Sequence, residues 1–230
     1  DEVLPHLAAG AALVVIDEAH CISDWGHDFR PDYRRIATLL AGLPPRTPVL
    51  ATTATANRRV SADIAEQLGA SVEAGGADGE QVLVLRGTLE RGSLHLGVRM
   101  LPDAASRLAW LTAYVRYAHG SGIIYCLTVS AAQEVAEHLR AAGAEVAAYT
   151  GQTDAAERER LEEDLKANRV RALVATSALG MGFDKPDLAF VVHLGAPSSP
   201  VSYYQQVGRA GRGVERAEVV LLPGPEDRAI

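Results

Sequence analysis

The 230-residue sequence predicts an α/β protein made of two lobes with parallel sheets, and three observations carry that expectation. Short apolar runs such as Leu13-Val14-Val15-Ile16, Gly122-Ile123-Ile124-Tyr125 and Leu173-Val174-Ala175 read as buried strands. From residue 93 onward such runs alternate with amphipathic helical patterns, which implies a parallel sheet covered by helices on both faces. Between them, small and flexible residues from Gly69 to Gly79 announce a boundary near residue 88, giving lobes 1–87 and 88–230.

The elements follow in order. In the first lobe the strand ending at Ile16 stops at two carboxylates, Asp17 and Glu18. Ile36, Leu39 and Leu40 have helical spacing within 33–43, closed by Gly42 and Pro44. A second strand, 48–51, ends in Thr52-Thr53-Ala54-Thr55-Ala56. A helix over 57–68 then turns Val60, Ile64, Ala65 and Leu68 to one face. Residues 81–86 read as the last strand of this lobe. The second lobe is expected to run strand 93–98, helix 105–118, strand 122–126, helix 130–142, strand 144–149 and helix 154–167. Strand 170–176, strand 188–193 and helix 201–211 complete it. Asp154, followed three residues later by Glu157, is a helix-start signal.

Composition bounds the function. A formal net charge of −7 argues against gripping nucleic acid by bulk electrostatics, so any such contact must be local. No apolar run is long enough to cross a bilayer and no signal peptide opens the chain, so no membrane role and a cytoplasmic location are expected. Cys21 and Cys126 fit neither a disulfide framework nor a zinc ribbon. Lys166 and Lys185 are the lysines of the chain; the bias toward arginine suggests a GC-rich bacterial genome. No G-x-x-x-x-G-K-[ST] occurs, so the phosphate-holding lysine of a P-loop is missing, and the chain reads as a fragment.

Chemistry concentrates in two places. At the carboxyl end of a parallel strand an acidic pair is placed to meet a metal and a reacting water, although such a pair also opens ordinary solvated turns. Directly after it, His20-Cys21-Ile22-Ser23-Asp24-Trp25-Gly26-His27-Asp28-Phe29-Arg30-Pro31 packs aromatic and basic residues into a segment that Gly and Pro keep irregular. The second place is 171–213. There a strand delivers Thr176, then Gly180, Gly182 and Asp184, and later Gln205-Gln206-Val207-Gly208-Arg209-Ala210-Gly211-Arg212. Two arginines three apart share a face if helical, and Gly208 and Gly211 would cost such a helix about 1 kcal/mol each, which implies a packing or ligand reason.

In that order these motifs resemble those of superfamily 2 helicases. Asp17-Glu18-Ala19-His20 is similar to the DEAH form of the Walker B motif, and the segment after it resembles the aromatic-rich loop of RecQ-family DNA helicases, with Asp24 where many relatives have Gln. Thr52–Thr55 resembles motif III, 122–126 motif IV, 176–184 motif V and 205–212 motif VI.

The resemblance implies two RecA-like lobes, the first cut at its N-terminus, that use ATP and Mg²⁺ to move 3′ to 5′ on single-stranded DNA and unwind partly duplex DNA in repair and recombination. It implies that Asp17 holds Mg²⁺ through water, that Glu18 activates the attacking water, and that Arg209 and Arg212 meet the γ-phosphate, Arg212 being the first choice as arginine finger. His20, Thr53, Thr55, Gly182, Asp184 and Gln205 would bind ATP or couple its hydrolysis. Trp25, Phe29, Arg30 and Thr176 would contact DNA, in a bacterial, nucleoid-associated setting. Two other classes fit the same residues: an RNA-dependent ATPase, since the DEAH tetrapeptide occurs in RNA helicases too, and a nucleic-acid-binding fragment without catalysis. Oligomeric state, preferred DNA structure and any zinc module after Ile230 are left open.

Overall fold

The computed structural model describes residues 11–22, 35–44, 47–55, 57–68, 82–88, 90–179, 182–225 and 227. The chain divides into two units, residues 1–88 and 89–230. In the first, β1 (Val14–Ile16) and β2 (Val49–Ala51) pair in parallel, with Val14 opposite Val49 and Ile16 opposite Ala51. A 3₁₀ turn (Ala19–Ile22) and α1 (Arg35–Ala41) lie on the crossover that parallel neighbours require. The next helix, α2 (Arg58–Gln67), begins where the Asn57 side chain accepts the Val60 N–H at 2.9 Å, an N-cap. Val60 and Ile64, four residues apart and so on one face, pack with Ile16, Ala19 and Ile22 into a small core. The residues flanking Asp17 and Glu18 are therefore anchored on both sides by apolar burial.

Residues 82–88 form no strand, against the sequence expectation, and Leu83 and Leu85 are 81% and 83% exposed. The Leu-Val-Leu run there has strand propensity, but propensity becomes structure only beside a neighbour that offers hydrogen bonds and a surface to pack on.

The second unit is a six-stranded parallel sheet in the order β3-β8-β7-β4-β6-β5. Its strands are β3 (Leu94–Val98), β4 (Ser121–Cys126), β5 (Val146–Tyr149), β6 (Ala172–Ala175), β7 (Leu188–Leu194) and β8 (Ala217–Leu222). The helices are α3 (Ala104–Tyr117), α4 (Val129–Ala141), α5 (Ala155–Lys166) and α6 (Pro200–Val207). Each starts at a polar N-cap, Asp103, Thr128, Asp154 and Ser199 in turn, whose side chain accepts a backbone N–H of the first turn.

Side-chain alternation along β4 separates two cores. Ile123 and Tyr125 pack with Leu161 and Leu165 of α5 and Val207 of α6, while Ile124 and Cys126 pack with Leu111 and Val115 of α3 and Val135 and Leu139 of α4. The central strands β4, β6 and β7 are thus buried between two helical layers, and a fully buried Leu, Ile or Phe contributes about 1.5–3 kcal/mol to that arrangement. Gly122 is required by the packing, because a Cβ there would lie 2.2 Å from the Phe190 ring.

Two features depart from the sequence expectation. Helix α6 ends at Val207, so Arg209 and Arg212 stand on a turn and not on a helical face. Strand β8 was not anticipated, and it inserts between β3 and β7. With β4 flanked by β6 and β7, the loop leaving β6 at Thr176 and the loop leaving β7 toward α6 both emerge at the carboxyl edge, where open α/β sheets bind ligands.

Candidate functional site

In the first unit, the hydrogen-bond ladder of β1 and β2 continues beyond the strands. Thr52 donates its N–H to the Ile16 carbonyl and accepts the Ala19 N–H, both at 2.9 Å. This places the Thr52 hydroxyl against Asp17, whose Oδ1 accepts it at 2.7 Å and the Glu18 N–H at 2.9 Å. The Thr52 hydrogen bond first, and the Glu18 N–H second, hold the Asp17 carboxyl below its ordinary pKa, so it stays ionised while exposed.

Glu18 has φ +50°, a left-handed backbone that costs a residue with a side chain about 1–3 kcal/mol. Such strain persists only where surrounding contacts enforce it. Here Ala19 and His20, both fully buried, fix the chain on one side and β1 fixes it on the other. Glu18 Oε2 lies 3.2 Å from His20 Nδ1, and the same nitrogen is 3.0 Å from Thr53 Oγ1. A carboxylate can only accept, which favours the His20 tautomer with its proton on Nδ1. His20 Nε2 is 3.7 Å from Cys21 Sγ. Thr53 Oγ1 also accepts the Thr55 N–H at 3.2 Å, so polar contacts run from Glu18 through His20 and Thr53 to Thr55. The Thr55 hydroxyl itself is buried, with no partner among the described residues.

In the second unit the arginines are held differently from one another. Arg209 is half-buried: its Nη1 donates to the Phe183 carbonyl at 3.1 Å, and its charge reaches the Tyr125 and Tyr149 hydroxyls. Burial pushes Tyr125 up to about 12, with Arg209 pulling the other way. The two groups are near without being aligned, since the Tyr125 hydroxyl and Arg209 Nε are both buried with no hydrogen-bond partner among the described residues. Arg212 is exposed; its Nη1 donates to Asp184 Oδ1 at 2.7 Å and its Nε to the Gly208 carbonyl at 3.2 Å.

Of the other expected site residues, Thr176 follows the carboxyl end of β6, and Gly182 and Gln205 precede the turn in the chain. Gly182 has φ +98°, a conformation that calls for glycine, and a Cβ there would meet nothing within 4 Å. Gln205 is half-buried on α6. Thr176 is 8% exposed and its hydroxyl accepts the Ala178 N–H at 3.3 Å, so it caps its own turn. Trp25, Phe29, Arg30 and Gly180 lie outside the described residues.

Sequence reasoning missed several contributors. Thr52 sits in the threonine cluster it singled out, but the hydrogen bond to Asp17 depends on strand pairing that spacing does not reveal. His193, on β7, is 1% exposed and gives Nε2 to Gln206 Oε1 of α6 at 2.8 Å, its ring 5.2 Å from that of Tyr125 and 5.0 Å from that of Tyr203. Burial drives its pKa down to about 4, the Gln206 hydrogen bond opposing that shift, so it is neutral at pH 7.

The comparisons with known proteins bear on both units. Residues 4–64 match the DEAD/DEAH box helicase family, and residues 106–214 match the helicase conserved C-terminal domain. Over 97% of its length the chain superposes on the Mycobacterium smegmatis helicase Lhr bound to ssDNA and AMP-PNP, with a TM-score of 0.72 and 23% identity, covering 30% of that chain. That likeness is one of fold. The fold and the two matched families define a superfamily 2 helicase core with RecA-like domains.

Among curated proteins, the ATP-dependent DNA helicase RecQ of Haemophilus influenzae is 39% identical over 94% of this chain and 33% of its own length. The ATP-dependent DNA helicase Q-like 4B of Arabidopsis thaliana is 38% identical over 91% of this chain and 17% of its own. The chain belongs to the RecQ family of helicases, and it spans a third or less of the length of these two relatives.

Proposed function

We propose that the chain carries the water-activating and arginine-bearing parts of an ATP-driven, RecQ-type DNA helicase motor, divided at residues 1–87 and 88–230. The observation that supports this best is the set of polar contacts from the DEAH segment to the threonines after β2: Asp17 is hydrogen-bonded to Thr52, Glu18 Oε2 lies 3.2 Å from His20 Nδ1, and that nitrogen is hydrogen-bonded to Thr53.

Asp17 suits Mg²⁺. Its carboxyl is ionised and exposed, and water and phosphate oxygens would complete the shell, as Mg²⁺ prefers. When bound, the ion supplies positive charge beside the phosphates. Glu18 orients the attacking water and takes its proton. His20 steadies Glu18 and relays its state to Thr53, and Thr55 completes that path. Arg209 and Arg212 offset charge developing on the γ-phosphate, an effect worth roughly 10³–10⁵ in rate where an arginine finger operates. Gly182, Asp184 and Gln205 line the nucleotide, with Asp184 holding Arg212 until phosphate replaces it.

Trp25 and Phe29 stack on single-stranded DNA, with Arg30 supplying a cation and Thr176 contacting the backbone; stacking contributes about 1–3 kcal/mol per base. The motor then moves 3′ to 5′, separates partly duplex DNA and serves repair and recombination in a bacterial cytoplasm. No helix among the described residues is long and apolar enough to cross a membrane.

The test uses the full-length protein containing this chain. Glu18→Gln is expected to lower ATP hydrolysis in the presence of single-stranded DNA by at least about 10²-fold, the scale of general-base catalysis, with ATP binding retained. Hydrolysis at the wild-type rate would falsify the assignment. Stimulation by RNA in place of DNA would redirect it to an RNA-dependent ATPase.

A further inference from the structure

The turn that carries Arg209 and Arg212 is held by side chains from the opposite end of the unit. Arg91 donates Nη1 to the Gly208 carbonyl at 2.7 Å and Nη2 to the Ala210 carbonyl at 3.1 Å, and the Ser93 hydroxyl donates to the Gly211 carbonyl at 2.7 Å. These carbonyls follow the last residue of α6, where a helix end leaves acceptors without intrahelical partners and where a cation is favoured by the helix dipole. Arginine suits the task because its planar fork spans two acceptors at once, which an ammonium does not.

The fit is close at Gly211, which has φ +68° and whose added Cβ would fall 2.8 Å from Ser93 Oγ. Arg212 Nε lies on the same Gly208 carbonyl, at 3.2 Å, that Arg91 holds. Arg91 thus shares an oxygen with the proposed finger, and it stands three residues past Thr88, the last residue of the first unit.

We propose that Arg91 and Ser93 are positioning residues for the arginine turn: they fix the backbone of 208–211 so that Arg212 is presented in one geometry, and they tie that geometry to the segment leading into the second unit. The proposal rests on the reading of Arg212 given above. Loss of the Arg91 fork leaves the turn's carbonyls to water and lets the finger wander, so turnover suffers while nucleotide binding does not.

A double-mutant cycle in the full-length protein tests this, with DNA-stimulated ATP hydrolysis and ATP KM as readouts and thermal unfolding as the folding control. Arg91→Ala should lower kcat by about 10- to 100-fold, as a misplacement on the scale of 1 Å does, with KM within about threefold. Arg91→Lys should recover part of the loss. In an Arg212→Ala background, Arg91→Ala should add less than about twofold. Wild-type kcat in Arg91→Ala, or losses that multiply in the double variant, would overturn the positioning role. Wild-type hydrolysis in Arg212→Ala alone would instead overturn the finger assignment. Should Arg91→Ala fail to fold, Arg91→Lys and Ser93→Ala run through the same cycle, with the same two results deciding it.

Discussion

The acidic turn of the first unit follows the carboxyl end of β1, whereas the arginine turn of the second packs on the amino ends of β3, β7 and β8, and the two are secured in different ways. Around Asp17 and Glu18 the reactive side chains themselves are pinned, by Thr52 on Asp17 and by His20 on Glu18. Around Arg209 and Arg212 the backbone is pinned as well, through the carbonyls of Gly208, Ala210 and Gly211, while the exposed Arg212 side chain pairs with Asp184 and donates Nε to the Gly208 carbonyl. In the function proposed above, a carboxylate that presents one lone pair to a water gains from a fixed orientation. An arginine that exchanges a carboxylate partner for a phosphate, as proposed for Arg212, gains from a firm base and an exposed tip.

The largest effect expected from this contrast concerns the buried histidines. His193 packs between aromatic rings with its Nδ1 unpartnered among the described residues, unlike His20 beside a carboxylate. With its pKa moved from 6.5 down to about 4 by burial, folding favours neutral His193. Its contribution is intact above pH 6.5, falls away as pH drops from 6.5 to about 4, and levels off below, a change of about 3 kcal/mol. Unfolding followed at pH 7, 6, 5 and 4 should show that slope, and His193→Gln should flatten it; an unchanged slope in the variant would assign the effect elsewhere.

A smaller effect separates two glycines. Gly211→Ala combines a left-handed backbone with contacts of 2.8 Å to Ser93 and 3.0 Å to Leu94, whereas Gly182→Ala meets open space at φ +98°. Strain alone predicts a loss of about 1 kcal/mol for Gly182→Ala, and added crowding raises it to about 2–3 kcal/mol for Gly211→Ala. Equal losses would mean that the turn is not held as tightly as its hydrogen bonds imply.

The smallest effect belongs to Asp184→Asn. As an exposed pair, Asp184 and Arg212 contribute under about 1 kcal/mol, so thermal unfolding should barely move. A larger loss would show that the arginine tip is as firmly anchored as the acidic end.

Most of the second unit was legible in the sequence because its central strands β4, β6 and β7 are buried on both faces and its helices carry polar caps, signals that are local. The motif order singled out Asp17, Glu18, His20, Thr53 and the arginine segment, and the structure brings Glu18, His20 and Thr53 into contact. What escaped was long-range. The Arg-Ala-Gly-Arg spacing suits a helix, and only the capture of its carbonyls by Arg91, more than a hundred residues earlier, shows why the chain turns there. Strand β8 holds the apolar run Val219-Val220-Leu221-Leu222 just after the charged Glu215-Arg216, and its place between β3 and β7 is set by pairing with strands distant in sequence. Residues 82–88 failed the other way, with the β-prone run Val82-Leu83-Val84-Leu85 and no strand pairing among the described residues.

The order of the sheet has a mechanical corollary. The first strand of the second unit, β3, lies beside the last, β8, and the two run in the same direction, with Leu94 opposite Ala217 and Val98 opposite Leu221. Tension applied at the leading end of β3 and the trailing end of β8 therefore drags one strand lengthwise along the other. It loads every rung of that ladder together, where opposed strands pulled from one end would peel apart rung by rung. A unit strung into a longer chain in this way resists being stretched at the seam where force enters it.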